Sequence, residues 1–166
     1  IVKDSTCDSL DEVCKKSNIM FVCLPTPMQQ DGGCYVGIVE EVLEKINALN
    51  NCKTIIVKST IPPGTTAKWN NMFDNIDIVF NPEFLTEANS VNDFKNQTRI
   101  IIGGPKKAAS RVRRLFVKAF PKVKIIKTDS TYAEMVKYVT NCFLAMKVSF
   151  ANEMYEISNA LDIDYD

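Results

Sequence analysis

The stretch Thr54-Ile55-Ile56-Val57-Lys58-Ser59-Thr60-Ile61-Pro62-Pro63-Gly64-Thr65-Thr66 contains the transition that decides the fold. A short apolar, β-branched run ends in hydroxyl side chains, and a stiff Pro-Pro step then leads into a helical sequence. Continuous apolar character over such a run is typical of a strand that is buried on both faces of its sheet. The hydroxyls of Ser59 and Thr60 could cap the next helix, or could contact a phosphate or a water at the sheet edge.

Runs of the same kind recur along the chain and predict a sheet. The predicted strands are residues 19–24, 54–58, 76–80, 99–102 and 123–126. Residues 36–49 and 108–120 carry apolar side chains every three or four positions, which predicts helices between strands. Strand, helix and strand at this rhythm predict an α/β fold with a doubly wound parallel sheet. Such sheets bind ligands beyond the carboxyl ends of their strands.

A long helix is predicted from about Ser130 onward. Its side chains are apolar nearly all round, since Met135, Val139 and Met146 share one face while Phe143 and Val148 lie on others. Such a helix must be covered on several sides, by its own domain and by something outside these 166 residues. The pattern fits a linking or dimerisation helix.

Composition excludes several function classes. Twenty basic residues balance twenty acidic ones, so no net charge attracts nucleic acid or an anionic membrane. The apolar runs are far shorter than the roughly 20 residues that span a bilayer. The chain has no histidine, and its six cysteines form no Cys-x-x-Cys pair, so no metal site is predicted. The cysteines are predicted to be reduced thiols in a cytoplasmic protein.

Three groups of residues after the predicted strands are candidates for chemistry. Leu24-Pro25-Thr26-Pro27 predicts either a rigid loop or a functional one. Asn81-Pro82 predicts a helix start, which would place Glu83 and Glu87 one turn apart, either as solvated surface charges or as a general base beside a ligand contact. Lys137 and Asn141 have the same spacing on the long helix, and could hold a developing oxyanion or simply face solvent.

These stretches, in this order, resemble the UDP-glucose/GDP-mannose dehydrogenase family. The resemblance covers nearly the whole chain and is carried by residues 21–27, the Asp31-Gly32-Gly33 turn, residues 57–65, residues 81–93, residues 99–103 and the pattern Ala133-Glu134-x-x-Lys137-x-x-x-Asn141-x-x-Leu144-Ala145. Members of this family oxidise the C6 alcohol of a nucleotide sugar to a carboxylate. They use two hydride transfers to NAD and form a covalent cysteine thioester between them.

The resemblance implies a role for each matching position. Leu24, Pro25, Thr26, Pro27, Ser59 and Thr60 would line NAD, and Thr60 would also hold a catalytic water. Glu83 would help to hydrolyse the thioester, and Glu87 would lie close to both cofactor and sugar. Phe84 and Leu85, which lie between Glu83 and Glu87 in the sequence, would contact the substrate. Lys137 and Asn141 would stabilise the oxyanion of the intermediates.

The resemblance also implies that the chain is an interior fragment, inactive alone. The family's Gly-x-Gly-x-x-Gly loop and its nucleophilic Gly-Gly-x-Cys segment do not occur in these 166 residues. Residues 1–128 would be the later part of a Rossmann-like NAD domain, and residues 129–166 the start of a central helix through which the whole protein forms a homodimer or a higher oligomer. UDP-glucose is the expected substrate. The alternatives are GDP-mannose, a UDP-N-acetylhexosamine, or a non-catalytic α/β binding module.

Overall fold

The computed structural model describes residues 8–49, 53–86 and 88–165. Along these ranges helices and strands alternate, and the last helix is by far the longest. The elements are α1 (Leu10–Lys16), β1 (Ile19–Val22), α2 (Gly37–Ala48), β2 (Lys53–Val57), α3 (Thr65–Met72), β3 (Ile76–Phe80), α4 (Ser90–Lys95), β4 (Arg99–Gly103), α5 (Lys106–Ala119), β5 (Lys124–Thr128) and α6 (Ser130–Ala160).

The five strands form one sheet in the order β1-β2-β3-β4-β5. Strands β1, β2 and β3 are parallel to one another, and so are β4 and β5. The predicted α/β fold is confirmed, but β3 and β4 are antiparallel and meet only at the pair Phe80 and Gly103. A parallel connection needs a crossover that packs on the sheet. Among the described residues between these two strands, the one helix is α4, which is short and has no buried residue, so the chain turns back instead.

Helices cover both faces of the sheet, as a doubly wound fold requires. On one face Ile55 and Val57 of β2 pack in a cluster with Leu43 of α2 and Trp69 of α3. On the other face Ile56 packs with the apolar side of α5. The alternation of neighbouring strand residues between two covered faces explains why β2 is buried at every position. The continuous apolar run in the sequence therefore predicted this strand correctly.

Two strand predictions were wrong, and the long helix ends before the last described residues. Strand β1 ends at Val22, so Cys23 is exposed and not buried within the strand. Strand β5 lies at the edge of the sheet and is mostly exposed, although both of its faces were expected to be buried. Helix α6 ends at Ala160, because Asp162 adopts a left-handed conformation with φ 52° and the Ile163 N–H donates to the Ser158 carbonyl.

The long helix α6 was predicted correctly and is buried only over its first turns. Its buried residues are Ser130, Ala133, Glu134 and Lys137, and Asp129 caps its start by accepting a hydrogen bond from the Thr131 N–H. Farther along, Phe143, Met146, Phe150 and other large apolar side chains are exposed. Among the helices of the described residues, none has the length and apolar character needed to cross a bilayer.

Gly103 lets α6 approach the end of β4. A Cβ atom at this position would lie 2.6 Å from the Ala133 Cβ, 2.8 Å from the Ser130 Cα and 2.9 Å from the Asp129 carbonyl oxygen. Backbone atoms are two of these three neighbours, so no side-chain rotation relieves the overlap. The absence of a side chain at Gly103 thus permits the close approach of the buried first turns of α6 to the sheet.

We predict that Gly103→Ala lowers the free energy of unfolding by about 1 to 3 kcal/mol, because the helix must shift to admit the methyl group. Gly33→Ala is the matched control, since a Cβ there would meet only the exposed Asp31 side chain. We expect the control to change stability by less than about 0.5 kcal/mol. Urea unfolding of the variants measures both values, and equal stabilities would contradict the close packing at Gly103.

Candidate active site

The carboxyl ends of β1 and β2 are joined by side-chain hydrogen bonds. The Ser59 hydroxyl donates to the Leu24 carbonyl oxygen at 2.7 Å and accepts from the Leu24 N–H at 2.9 Å. The Thr26 hydroxyl donates to the Thr60 carbonyl oxygen at 2.7 Å. Ser59 therefore replaces a strand partner for Leu24 just where the sheet ends, and the loop after β1 is held against the tip of β2.

A second connection joins the tips of β2 and β3. The Lys58 ammonium donates to the carbonyl oxygen of Asn81 at 3.1 Å and to its side-chain oxygen at 3.0 Å. The Asn81 amide group donates to the Ile101 carbonyl oxygen at 2.7 Å, and its backbone N–H donates to the Val57 carbonyl. The polar groups of Asn81 thus join three strands, which explains why this side chain is buried.

These contacts overturn the predicted helix start at Asn81. Residues 81–86 have no helical structure, and the next helix is α4, which begins at Ser90. Asn81 cannot cap a helix because its amide group is engaged by Lys58 and Ile101. The predicted one-turn relation between Glu83 and Glu87 is not tested, since Glu87 lies outside the described residues.

Lys137 of α6 reaches the segment that follows β3. Its ammonium donates to the Glu83 carbonyl oxygen at 2.6 Å and lies 5.9 Å from the centre of the Phe84 ring. The guanidinium of Arg99 lies over the same ring at 5.0 Å. Lys137 is only 9% exposed, so the alternative that it simply faces solvent does not hold. Burial lowers the pKa of Lys137 from its ordinary value, and the nearby Glu83 opposes that shift.

A cleft of about 350 Å³ opens beside this segment. The predicted substrate contacts Glu83, Phe84 and Leu85 line it, together with Lys58 and Arg99. A larger cleft of about 830 Å³ lies between α3, α5 and the start of α6, and it contains none of the predicted site residues. The smaller cleft is the better candidate site, since charged groups of both signs converge there at the ends of strands.

Glu134 attaches α6 to the loop that follows β2. It has no exposed surface, and its two carboxylate oxygens accept from the Gly64 N–H at 2.6 Å and from the Thr66 N–H at 2.8 Å. Glu134 thus caps the N-terminus of α3, a task for which the sequence offered only the local hydroxyls. Burial raises the pKa of Glu134, and the hydrogen bonds from Thr66 and Gly64 oppose the rise.

The structure brings most of the predicted site residues to one edge of the sheet. Thr26 meets Thr60 there, and Lys137 meets Glu83. Pro25 and Pro27 are exposed beside the half-buried Leu24 and Thr26. Asn141 lies one turn beyond Lys137 on α6 and is exposed. Groups of three or more His, Cys, Asp or Glu side chains that could hold a metal ion do not occur among the described residues.

Sequence reasoning missed Lys58 and Glu134. Lys58 directly precedes the hydroxyls of Ser59 and Thr60, and a lysine at the end of a buried strand is a signal that could have identified it. Glu134 stands in the pattern that includes Lys137, three positions earlier and thus on the same helix face. Neither contact is local, because the partners lie 23 and about 70 positions away along the chain.

Comparison with known proteins identifies the class to which this fold and site belong. Residues 5–120 match the NAD binding domain of the UDP-glucose/GDP-mannose dehydrogenase family, and residues 131–166 match its central domain. The chain belongs to the UDP-glucose/GDP-mannose dehydrogenase family, which confirms the resemblance found in the sequence.

Particular relatives are nucleotide-sugar dehydrogenases. The UDP-glucose 6-dehydrogenase of Rickettsia bellii is 31% identical over 93% of this chain and 37% of its own length. The solved UDP-glucose dehydrogenase of Pyrobaculum islandicum superposes with a TM-score of 0.83 and 31% identity, over 95% of this chain and 39% of that one. A GDP-mannose dehydrogenase from Pseudomonas aeruginosa, solved as a ternary complex, gives 0.80 and 27%, over 93% and 38%. The chain thus spans less than two fifths of these relatives.

The strand tips suit one end of NAD. Exposed prolines beside the backbone of Leu24 and Thr26 offer a rigid, apolar surface at the carboxyl edge of the parallel strands, where dinucleotides bind in such sheets. The backbone donors that a Gly-x-Gly-x-x-Gly loop provides for a pyrophosphate are not part of this edge. The residues present therefore fit a part of NAD other than its pyrophosphate.

We predict that Glu134→Gln lowers the free energy of unfolding by about 2 to 3 kcal/mol. The new amide would direct an N–H group at a backbone N–H and leave that donor buried without an acceptor. Glu44→Gln, on the exposed face of α2, is the matched control and should change stability by less than about 0.5 kcal/mol. Chemical denaturation measures both, and a Glu134→Gln chain as stable as the control would show that the cap contributes little.

Proposed function

We propose that this chain forms part of the active site of an NAD-dependent dehydrogenase that oxidises the C6 alcohol of UDP-glucose to a carboxylate. The observation that carries the proposal is the contact between the Lys137 ammonium and the Glu83 carbonyl at the edge of a cleft. This contact joins α6, in the part of the chain that matches the central domain, to the tip of β3, in the part that matches the NAD binding domain. The activity belongs to the complete polypeptide of which these residues would form the middle.

Residues at the tips of β1 and β2 would hold the cofactor. Leu24, Pro25, Thr26 and Pro27 form the rigid surface described above, and the hydrogen bonds of Ser59 fix it to β2. When bound, NAD accepts the hydride that leaves the sugar carbon. A surface fixed before binding orients the cofactor with little loss of conformational freedom, which favours hydride transfer over a short distance.

Lys137 and Asn141 would stabilise negative charge on the C6 oxygen. An ammonium has three N–H donors, and the Glu83 carbonyl accepts from one of them. That hydrogen bond directs the Lys137 side chain toward the strand tips and leaves donors for a substrate oxygen. Partial burial makes such a charge more effective than it would be in water, because the surroundings screen it less.

Glu83 and Thr60 would act in the hydrolytic half of the reaction. The Glu83 side chain is 41% exposed, so its carboxylate can reach a water in the cleft that it lines. Thr60 would hold that water, and Glu83 would accept its proton as the water oxygen bonds to the thioester carbon; the carbon–sulfur bond then breaks and the cysteine leaves as a thiolate. Glu87 would contact cofactor and sugar from the same segment, and Phe84 and Leu85 would form the apolar wall beside the sugar.

Further features of the complete protein follow from the same proposal. The two family matches support a division into an NAD domain up to about residue 128 and a central helix from residue 129. The exposed apolar face of α6 supports a homodimer or a higher oligomer. Free thiols at Cys14, Cys23, Cys34 and Cys142 suit the reducing cytoplasm. GDP-mannose and UDP-N-acetylhexosamines are the alternative substrates, and turnover of each sugar by the complete protein distinguishes them.

We predict that Lys137→Ala in the complete dehydrogenase lowers kcat by about a hundredfold to a thousandfold, as loss of a preorganised oxyanion donor does. Stability should fall by only about 1 kcal/mol through loss of the bond to Glu83. Lys118→Ala, at an exposed position of α5, is the control and should retain wild-type turnover. Steady-state NADH formation and thermal unfolding measure the two effects. Near-wild-type turnover of Lys137→Ala would remove this lysine from the chemistry.

We predict a different defect for Glu83→Gln. The amide cannot accept the proton of the attacking water, so hydrolysis slows while the hydride transfers proceed. A covalent adduct between sugar and enzyme should then accumulate after mixing with UDP-glucose and NAD. Intact-mass spectrometry detects that adduct. A Glu83→Gln enzyme that turns over normally, or that is slow without accumulating any adduct, would contradict the role assigned to Glu83.

A further inference from the structure

Lys58 is a buried charge for which the roles above have no task. It follows β2 directly, and its backbone N–H donates to the Val22 carbonyl, which extends the pairing of β1 and β2 by one residue. Its side chain is 13% exposed, and its ammonium lies 4.0 Å from a carboxylate oxygen of Glu83. A lysine is rarely enclosed to this extent unless specific partners compensate for its lost hydration.

The partners of Lys58 all belong to the segment that carries Glu83. Two of its donors are directed at Asn81, at 3.1 and 3.0 Å, and the ion pair reaches Glu83 two residues later. Burial lowers the pKa of Lys58 from its ordinary value, and the charge of Glu83 is the largest effect that opposes the shift. The ammonium thus fixes the backbone of this segment and lies beside its carboxylate.

Two lysines hold Glu83 in different ways. Lys137, from α6, binds the carbonyl oxygen, and Lys58, from β2, approaches the carboxylate. The Cys23 thiol is close enough to interact with the charge of Glu83, and Arg99 of β4 packs on the neighbouring Phe84 ring. Of these groups, Lys58 is the cation that forms an ion pair with the carboxylate itself.

We propose that Lys58 is a positioning residue for Glu83: it fixes residues 81–83 through Asn81 and directs the Glu83 carboxylate toward the water that this group activates. The inference rests on the proposed role of Glu83 in hydrolysis. In this role Lys58 acts through Glu83 and not by contact with the reacting atoms. Loss of its charge would leave the carboxylate in place but free to turn away from the water.

The test compares Lys58→Met, which keeps the apolar stem without the charge, with Lys58→Arg, which keeps the charge, in the complete dehydrogenase. We expect Lys58→Met to lower kcat by about tenfold to a hundredfold, with the KM for NAD within about twofold of wild type. Lys58→Arg should recover most of the loss. Lys68→Met is the matched control, because it removes the ion pair that the exposed Lys68 of α3 forms with Glu40 of α2 and should leave turnover unchanged.

A double-mutant cycle separates positioning from an independent effect. If Lys58 acts through Glu83, Lys58→Met combined with Glu83→Gln is no slower than Glu83→Gln alone, and Lys58→Met by itself accumulates the same covalent adduct. Fold-losses that multiply in the double variant would overturn the proposal, as would an unimpaired Lys58→Met or a Lys58→Arg as slow as Lys58→Met. Should Lys58→Met fail to fold, Lys58→Gln, which keeps a donor for Asn81, replaces it in the cycle.

The same variants keep the two proposals distinct. An impaired Glu83→Gln beside an unimpaired Lys58→Met refutes only the positioning role of Lys58. An unimpaired Glu83→Gln refutes the hydrolytic role of Glu83, on which the positioning role rests.

Discussion

The position of α6 depends on one buried carboxylate. Glu134 accepts hydrogen bonds from the Gly64 and Thr66 N–H groups, and so it binds the long helix to the N-terminus of α3. The partial positive charge of a helix N-terminus favours an anion there, which helps to offset the loss of hydration. Since Lys137 follows one turn later, the contact that satisfies α3 also places an ammonium over the tip of β3.

The tips of the parallel strands are braced by side chains rather than by further strand pairing. Ser59 takes the place of a strand partner for Leu24, and Asn81 connects β2, β3 and β4 through Lys58, Val57 and Ile101. Ser59 and Asn81 are both polar side chains at points where the backbone leaves the sheet. This edge of the sheet is therefore braced by its own side-chain hydrogen bonds before any ligand arrives.

The candidate site lies where the parallel part of the sheet ends, at the antiparallel pairing of β3 and β4. Because α4 does not pack on the sheet, the segment after β3 stays at the carboxyl edge and lines the cleft instead of crossing away from it. The chain then returns to the sheet with β4, which ends at Gly103, where α6 lies too close for any side chain. The same departure from an all-parallel sheet thus exposes Glu83 and brings Lys137 near it.

The sequence by itself determined the central strands, helices α2, α3, α5 and α6, the α/β class and the family, since burial on two faces leaves continuous apolar runs and helix packing leaves a regular stripe. It also determined which residue types stand at the strand tips. Only the tertiary structure decided their partners. Asn81 could serve as a helix cap or as a brace, and Lys137 could face solvent or Glu83, because local spacing is the same in both cases. Those choices depend on contacts between residues distant in sequence, which no local pattern encodes.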